Sequence, residues 1–320
     1  MTKKIGVITS GGDAPGMNAA LRAVTRRAIS LGYEVIGIKR GFKGLLDGEF
    51  TNLTIRSVSG IINVGGTILH TGRCPETKTT AGMSKTVKVI KELNLEGLII
   101  IGGDGSLAAG NALVKRGIKV INIPASIDND IYGTDETIGY DTALNTAVDA
   151  IDKIRDTATS HDRIFVVEVM GREHGFLTAD VALAAGCEFI VVPELKVDVN
   201  KLALELKKGK ERGKTSEIIA FAEGCGSSHK FGKQIEKLTK LEVRVSTLGY
   251  IQRGGRPTAR TRILASCFGH FAMNLFHIGK TNILVGITKA NLSVIPIENA
   301  IKHKKEFNKN TAKVLKNLAV

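Results

Sequence analysis

The stretch Gly97-Leu98-Ile99-Ile100-Ile101-Gly102-Gly103-Asp104-Gly105-Ser106 decides the fold. Its apolar, β-branched start reads as a buried strand. Its end, small residues around one carboxylate, reads as a tight turn into a helix over residues 107–115. A second stretch repeats the arrangement: residues 118–123 are a strand pattern, and Ile127-Asp128-Asn129-Asp130 follows it. In an α/β protein such turns lie at the carboxyl ends of parallel strands, where ligands bind.

The same rhythm runs outward in both directions. Residues 4–9 read as a strand, Gly11-Gly12-Asp13-Ala14-Pro15-Gly16 as a turn, and 17–30 as a helix closed by Gly32. Strand 34–38 and helix 84–93 precede the central stretch. Helix 141–157, with Leu144, Ala147, Val148, Ile151 and Ile154 on one face, follows it. Strands are expected at 163–169, 188–192, 217–222 and 242–248, helices at 174–185, 199–211 and 258–276, and a late pair near 283–287 and 292–295. Such alternation predicts an α/β fold of doubly wound, mostly parallel sheets. No linker marks a boundary. The reading is two interleaved halves meeting near residue 138, with the C-terminal segment crossing back.

The formal net charge of the 320 residues is +14. Nucleic-acid binding and the handling of anionic substrates both fit that excess. Aromatic residues are 5%, with no Trp, so no stacking platform is evident and the second reading is preferred. The tail Lys302-His303-Lys304-Lys305, with Lys309, Lys313 and Lys316, reads as a solvated helix. No apolar run approaches the roughly 18 residues of a membrane span, and strand 4–9 leaves no room for a signal peptide. Cys74, Cys187, Cys225 and Cys267 lie far apart and read as free thiols. A cytoplasmic enzyme is expected.

Both glycine turns put free backbone N–H groups and a positive helix end at one cleft. Neither has P-loop spacing or the Gly-x-Gly-x-x-Gly pattern of dinucleotide-binding folds. Asp104 reads either as a ligand for Mg²⁺ on nucleotide phosphates or as a helix N-cap. Asp128 and Asp130 read either as proton acceptors for an attacking hydroxyl or as an Asx-turn. In an extended segment they would point the same way. Arg172 reads as a charge neutraliser for a transferring phosphoryl group or as a solvated helix-start arginine. Arg163, Arg253 and Arg256 add cations near strand ends, which suits a small phosphorylated substrate.

Five ordered stretches now combine: Ser10-Gly11-Gly12-Asp13-Ala14-Pro15-Gly16-Met17-Asn18, Ile101 to Ser106, Ile127 to Asp130, Val167-Glu168-Val169-Met170-Gly171-Arg172, and Leu248-Gly249-Tyr250-Ile251-Gln252-Arg253-Gly254-Gly255. In this order, over nearly the whole chain, they resemble the bacterial ATP-dependent 6-phosphofructokinase family. The tail after about residue 296 is the poorest match. The resemblance implies a nucleotide-binding half, residues 1–138 with roughly 251–303, and a sugar-phosphate half, residues 139–250 with the C-terminal segment. It implies that Asp128 takes the proton from the 1-hydroxyl of fructose 6-phosphate. Arg172 and the Gly12 N–H would stabilise the γ-phosphate, and Asp104 would hold Mg²⁺. Arg73, Cys74, Gly103, Asp104, Gly105 and Ser106 would line the ATP site. Ser126, Met170, Gly171, Glu223, Tyr250 and Arg253 would hold the sugar phosphate, with Arg163 and Arg244 reaching across from a neighbour in a homotetramer. Arg22, Arg26, Arg155, Gly186, Glu188, Arg212 and Lys214 would form a site between subunits for a nucleoside diphosphate activator and a phosphoenolpyruvate inhibitor.

Gly105 and Ala125 stand where pyrophosphate-dependent relatives carry Asp and Lys, so ATP is the expected donor. Four departures from the family pattern remain. Ser126 replaces Thr. Ala125 replaces Gly, a strain if its φ is positive. Tyr250 replaces a His at the sugar's 6-phosphate, and Ile55 replaces an effector-site Arg beside Arg56. The competing readings are an NAD or lipid kinase with a similar glycine turn, and a catalytically silent regulatory or nucleic-acid-binding paralogue. Retention of Asp104, Asp128 and Arg172 counts against the silent paralogue.

Overall fold

The computed structural model describes residues 3–72 and 74–318. The chain divides into two compact units, Met1–Thr142 with Arg253–Lys305, and Ala143–Gln252 with Glu306–Val320. The first unit contains β1 (Lys3–Ser10), α1 (Met17–Ser30), β2 (Tyr33–Ile38), α2 (Gly41–Asp47), β3 (Phe50–Leu53), α3 (Thr80–Glu92), β4 (Leu95–Gly102), α4 (Asp104–Val114), β5 (Val120–Ser126) and β6 (Ile138–Gly139). Then α5 (Tyr140–Ser160) carries the chain into the second unit: β7 (Ile164–Val169), α6 (Phe176–Ala184), β8 (Phe189–Val191), α7 (Val199–Glu211), β9 (Glu217–Ala222), α8 (Ser228–Thr239) and β10 (Val243–Thr247). The first unit is completed by α9 (Ala259–His277), β11 (Ile283–Thr288), β12 (Asn291–Pro296) and α10 (Ile297–Lys302), and α11 (Lys309–Leu318) returns to the second.

The first unit's sheet runs β12-β11-β5-β4-β1-β2-β3, with β6 beside the end of β5. Only the edge strands β3 and β12 are antiparallel to their neighbours. From β1 the chain goes to β2 on one side, then crosses to β4 on the other. The strand order therefore reverses between β1 and β4, which opens a crevice at their carboxyl ends. Register fixes that edge: Ser10 is opposite Gly102, and Gly102 is opposite Pro124. Ile5, Val7 and Ile8 of β1 and Leu98 to Ile101 of β4 are fully buried. Strands apolar on both faces are what a helix-covered parallel sheet requires. One face is closed by Met83, Ile90, Leu107 and Leu113 of α3 and α4, packed on Ile8, Ile38, Leu98 and Ile100. Elsewhere α1 meets α9 so closely that a Cβ on Gly269 would lie 2.8 Å from the Ala20 carbonyl oxygen.

The second unit's sheet runs β10-β7-β9-β8, all parallel. Its core sets Ile164, Val166, Ile219 and Phe221 against Leu202, Leu206, Phe231 and Ile235. The Asp198 carboxylate caps α7, accepting from the Asn200 and Lys201 N–H groups at 3.0 and 3.1 Å. On the far side α11 packs on α6, and the Phe176 and Phe307 rings meet at 6.0 Å.

The expected mixed α/β fold with parallel sheets is what forms. Boundaries moved where capping or pairing extended an element. The Thr79 hydroxyl accepts from Gly82 N–H at 3.0 Å, so α3 starts at Thr80 rather than 84. β5 runs on to Ser126 because Ala125 and Ser126 pair with β6. α8 was not anticipated: its burial rests on Phe231, Gly232 and Ile235 between lysines. Among the described residues no helix is long and apolar enough to cross a membrane.

Phe268, in the middle of α9, is fully buried. Phe268→Ala should therefore lower unfolding free energy by about 3–5 kcal/mol, read by denaturant titration. A loss under about 1 kcal/mol would mean that this core tolerates the void.

Candidate active site

In the first unit the sequence-predicted residues gather at the carboxyl edge of β1, β4 and β5. The β1–α1 turn needs left-handed backbone at Gly11 (φ 87°) and Gly16 (φ 99°). At Gly12 the limit is space: a Cβ would sit 2.6 Å from Arg253 Nη1. That nitrogen donates to the Asp13 carbonyl at 3.2 Å, which places the guanidinium over the turn. Asn18, quoted in its motif without a role, is fully buried. Its amide donates to the Val64 and Gly65 carbonyls at 3.1 and 3.2 Å and accepts from Ile68 N–H at 2.8 Å, pinning the loop beside the turn.

The β4–α4 turn is tighter. A Cβ on Gly102 would lie 2.5 Å from both the Ser10 carbonyl oxygen and Ser106 Oγ. Gly103 is the N-cap of α4, without a side-chain cap, and its carbonyl takes the Ser106 and Leu107 N–H groups at 3.0 Å. Asp104 is exposed in the first turn, so its carboxylate is not used as the cap. The leading amides of the helix have no intrahelical partner. Ser106 Oγ is buried without a hydrogen-bond partner. Such a donor-rich cradle suits an anionic oxygen.

Asp128 is 3% exposed at the end of β5, and its N–H donates to Ser126 Oγ at 3.1 Å. Asn129 is left-handed (φ 53°) and holds the loop through Thr137 N–H at 3.1 Å and the Asp135 carbonyl at 3.2 Å. That kink removes the same-side arrangement that an extended Asp128-Asn129-Asp130 would have. Ala125 lies within β5 and is not left-handed, so the conditional strain there does not arise. A Cβ on Gly103 would stand 3.7 Å from the Ser126 Cβ, so the glycine turn and the Asp128 loop are neighbours. Cys74 is half-buried, its thiol donates to Glu76 at 3.4 Å, and burial pushes its pKa up. Arg73 lies outside the described residues. Arg22 and Arg26 are one turn apart and half-buried on α1.

In the second unit a different turn gathers the remaining residues. Gly171 has φ 154° and Arg172, exposed, has φ 54°. Left-handed backbone at an arginine needs outside support. It comes from Glu223, whose Oε2 accepts the Gly171 and Arg172 N–H groups at 3.3 and 3.0 Å, and from Gln252, whose Oε1 accepts Met170 N–H at 2.9 Å. Gln252 is fully buried and had no assigned role in the sequence reading. Tyr250 is 82% exposed, next to Gly249 with φ 56°. Arg163 and Arg244 meet on one carboxylate, Glu242: Arg163 Nε is 2.9 Å from Oε2, and Arg244 pairs with Oε1. The Arg163 hydrogen bond leads in holding the Glu242 pKa down. Sequence reasoning missed Glu242; the alternating charges in Glu242-Val243-Arg244 were the available signal.

Four of the expected effector residues line one cavity of about 370 Å³: Arg155, Gly186, Glu188 and Lys214. Arg155 reaches Glu188 at 3.2 Å and donates to the Ala185 and Gly186 carbonyls at 3.0 and 2.8 Å. Arg212 caps α7 and is exposed, outside that lining. Cys187 also lines the cavity, and burial pushes its thiol up to about 12.

A family model described as Phosphofructokinase matches residues 4–276. The chain belongs to the phosphofructokinase family. It is 50% identical over 318 residues to the ATP-dependent 6-phosphofructokinase of Bacillus subtilis (strain 168), covering 99% of this chain and 100% of that one. It is 49% identical over the same length to the ATP-dependent 6-phosphofructokinase of Shouchella clausii, with the same coverage. A crystal structure of Pichia pastoris phosphofructokinase in the T-state superposes with a TM-score of 0.88 at 32% identity, covering 99% of this chain. The chain spans 36% of the length of that yeast chain.

The Mg²⁺ that the phosphofructokinase family implies fits this donor set. One exposed hard carboxylate beside a phosphate-sized cradle suits an ion that keeps waters and takes its other ligands from nucleotide phosphates. Among the described residues no group of three or more His, Cys, Asp or Glu forms a cage for a metal.

The two glycines should respond oppositely to a methyl group. Gly102→Ala meets backbone and should lose about 1–3 kcal/mol of unfolding free energy. Gly105→Ala, with nothing within 4 Å of its Cβ, should stay within about 0.5 kcal/mol of the parent or exceed it. Paired denaturant melts decide; equal losses would refute the close approach as the reason for Gly102.

Proposed function

We propose that this chain transfers the γ-phosphoryl group of ATP to the 1-hydroxyl of fructose 6-phosphate, giving fructose 1,6-bisphosphate and ADP. The observation that carries the reading is Asp128, a buried carboxyl whose backbone N–H donates to Ser126, beside the glycine turn at the switch point of the sheet. Near-half identity over the full length of ATP-dependent 6-phosphofructokinases supports it.

Asp128 accepts the proton of the 1-hydroxyl as that oxygen bonds to the γ-phosphorus. The bond from the γ-phosphorus to the ADP oxygen breaks, and ADP leaves. Ser126 fixes the loop backbone through the Asp128 N–H. Arg172 and the Gly12 N–H neutralise charge on the phosphoryl oxygens. Asp104 holds Mg²⁺, which when bound supplies neutralisation of the nucleotide phosphates. Gly103, Gly105 and Ser106 receive phosphate oxygens, and the resemblance assigns Arg73 and Cys74 to the same ATP site. Gly105 has open space at its Cβ, which supports room for an α-phosphate and so ATP over pyrophosphate. Met170, Gly171, Glu223, Tyr250 and Arg253 receive the sugar phosphate. Arg163 and Arg244 serve a neighbouring active site in a homotetramer. The 370 Å³ cavity takes the phosphate-bearing effectors, a nucleoside diphosphate or phosphoenolpyruvate. The enzyme works in the cytoplasm.

Steady-state turnover with Mg-ATP and fructose 6-phosphate tests this directly. Asp128→Ser should lower kcat by roughly 10²–10⁴-fold with KM within a few-fold. Wild-type turnover with pyrophosphate but not ATP would refute the donor argument. No turnover with either, beside salt-sensitive RNA or DNA binding, would refute the enzyme reading.

A narrower expectation concerns Tyr250. A phenol donates a hydrogen bond to phosphate but cannot become cationic as imidazole can. Tyr250→His should lower the KM for fructose 6-phosphate a few-fold below neutral pH. An unchanged KM would remove Tyr250 from the phosphate contacts.

A further inference from the structure

Glu217 opens β9 and is 4% exposed. It is a carboxyl in a place where the fold makes room for one. A Cβ on Gly209, inside α7, would come within 2.4 Å of Glu217 Oε1 and 3.0 Å of its Cδ. A glycine within a helix is unfavourable by itself, so the space it leaves for this side chain is a feature of the packing.

In the chain, Glu217 directly follows three residues that line the cavity. Lys214, Thr215 and Ser216, immediately before it, are lining residues, as are Arg155 and Glu188. Immediately after it, Ile218 N–H donates to Glu188 Oε2 at 2.6 Å, while Glu188 Oε1 meets Arg155 at 3.2 Å. The charged groups that act on Glu217 are Lys214, Glu188, Arg212 and Lys210, and Glu188 and Lys210 are themselves paired with further charges. Lys210 and Arg212 end α7, and Lys214 follows them. Glu188 precedes β8, and Arg155 lies on α5. Asp162, ahead of β7, pairs with Lys210 at 3.4 Å. Burial pushes the Glu217 carboxyl up to about 7; Lys214, Arg212 and Lys210 oppose the rise and Glu188 adds to it. Glu217 is absent from the residues that the family resemblance assigns to effector binding.

We propose that Glu217 is a proton-operated determinant of anion affinity in this cavity. Neutral, it adds no charge. Ionised, it competes with a bound phosphate for Lys214 and repels the ligand directly. Anionic effectors thus bind more tightly on the acid side of neutrality. The inference rests on the cavity being the effector site.

Calorimetric titration of phosphoenolpyruvate into the full-length wild type, Glu217→Gln and Arg155→Ala tests it. The ligand's own ionisation is common to all, so the ratio of wild-type to Glu217→Gln affinity isolates the one carboxyl. The two should bind equally near pH 6, and the wild type roughly three- to fivefold more weakly near pH 8.5, the size expected of one screened charge. A ratio that stays at one overturns the proposal and leaves the effector site standing. No binding to wild type, or binding indifferent to Arg155→Ala, overturns both. Glu217→Ser replaces the glutamine variant if that chain does not fold.

Melting temperature gives an independent reading. The folded pKa is raised from 4.5 to about 7. The neutral form is therefore favoured in the fold, and that stability is lost as pH rises from about 4.5 through 7. The neutral variant should melt with the wild type near pH 4.5 and above it beyond pH 7. Coincident melting at all pH values overturns the proposal.

Discussion

The structure of the first unit depends on the closeness of β1 and β4 at their carboxyl ends. The Ser10 carbonyl oxygen stands 2.5 Å from where a Cβ of Gly102 would be. No side chain fits there, so the strand must end in glycine. Because the strand order reverses at this pair, the helices that follow leave in opposite directions, α1 over β2 and α4 toward β5. The gap between them is lined by backbone amides instead of side chains. Ser106 is pressed under the turn with an unpartnered hydroxyl, and Asp128 is brought alongside by β5. The close packing and the donor-rich cradle thus have one cause.

The second unit solves a different problem. Its key arginine sits on left-handed backbone, a conformation that disfavours a non-glycine residue by about 1–3 kcal/mol. Carboxylate and amide acceptors on two other strand ends hold the three successive N–H groups of Met170, Gly171 and Arg172. Bonds from an N–H to a charged carboxylate are worth about 1.5–3 kcal/mol each, enough to offset the strain. Glu223 therefore shapes the turn whatever else it binds.

Much of this was legible because glycine reports backbone requirements directly. Gly11, Gly102 and Gly171 announced turns, and the apolar runs before them announced strands. Less legible were residues whose meaning lies in distant partners. Gln252 answers to Met170 across the fold, and Glu242 serves two arginines at once. The Asp104 alternatives could not be separated in sequence, since a helix-start Asp suits both. The structure gives the cap to Gly103 and leaves the carboxylate exposed. The Ala125 worry dissolved because β6, two residues long, keeps that position in the sheet. α8 was hidden by its lysines: its apolar face is Phe231 and Ile235, too sparse to stand out beside Gly232.

The cations also sort by what holds them. Arg163 and Arg244 share Glu242, and Arg155 rests on Glu188, whereas Arg253 rests on a backbone carbonyl. Arg155 also donates to the Ala185 and Gly186 carbonyls, so it combines both kinds of partner. Exposed ion pairs are weak, so Glu242 holds its two arginines only loosely. At Glu188 the carboxylate is also tied to Ile218 N–H, so it is anchored to β9 as well as to Arg155. The proposed ionisation of Glu217 would add a second carboxylate near that anchored one, a local charge that the net +14 of the chain does not reveal. Three of these four arginines are thus held by local carboxylates, and the fourth by the turn it covers.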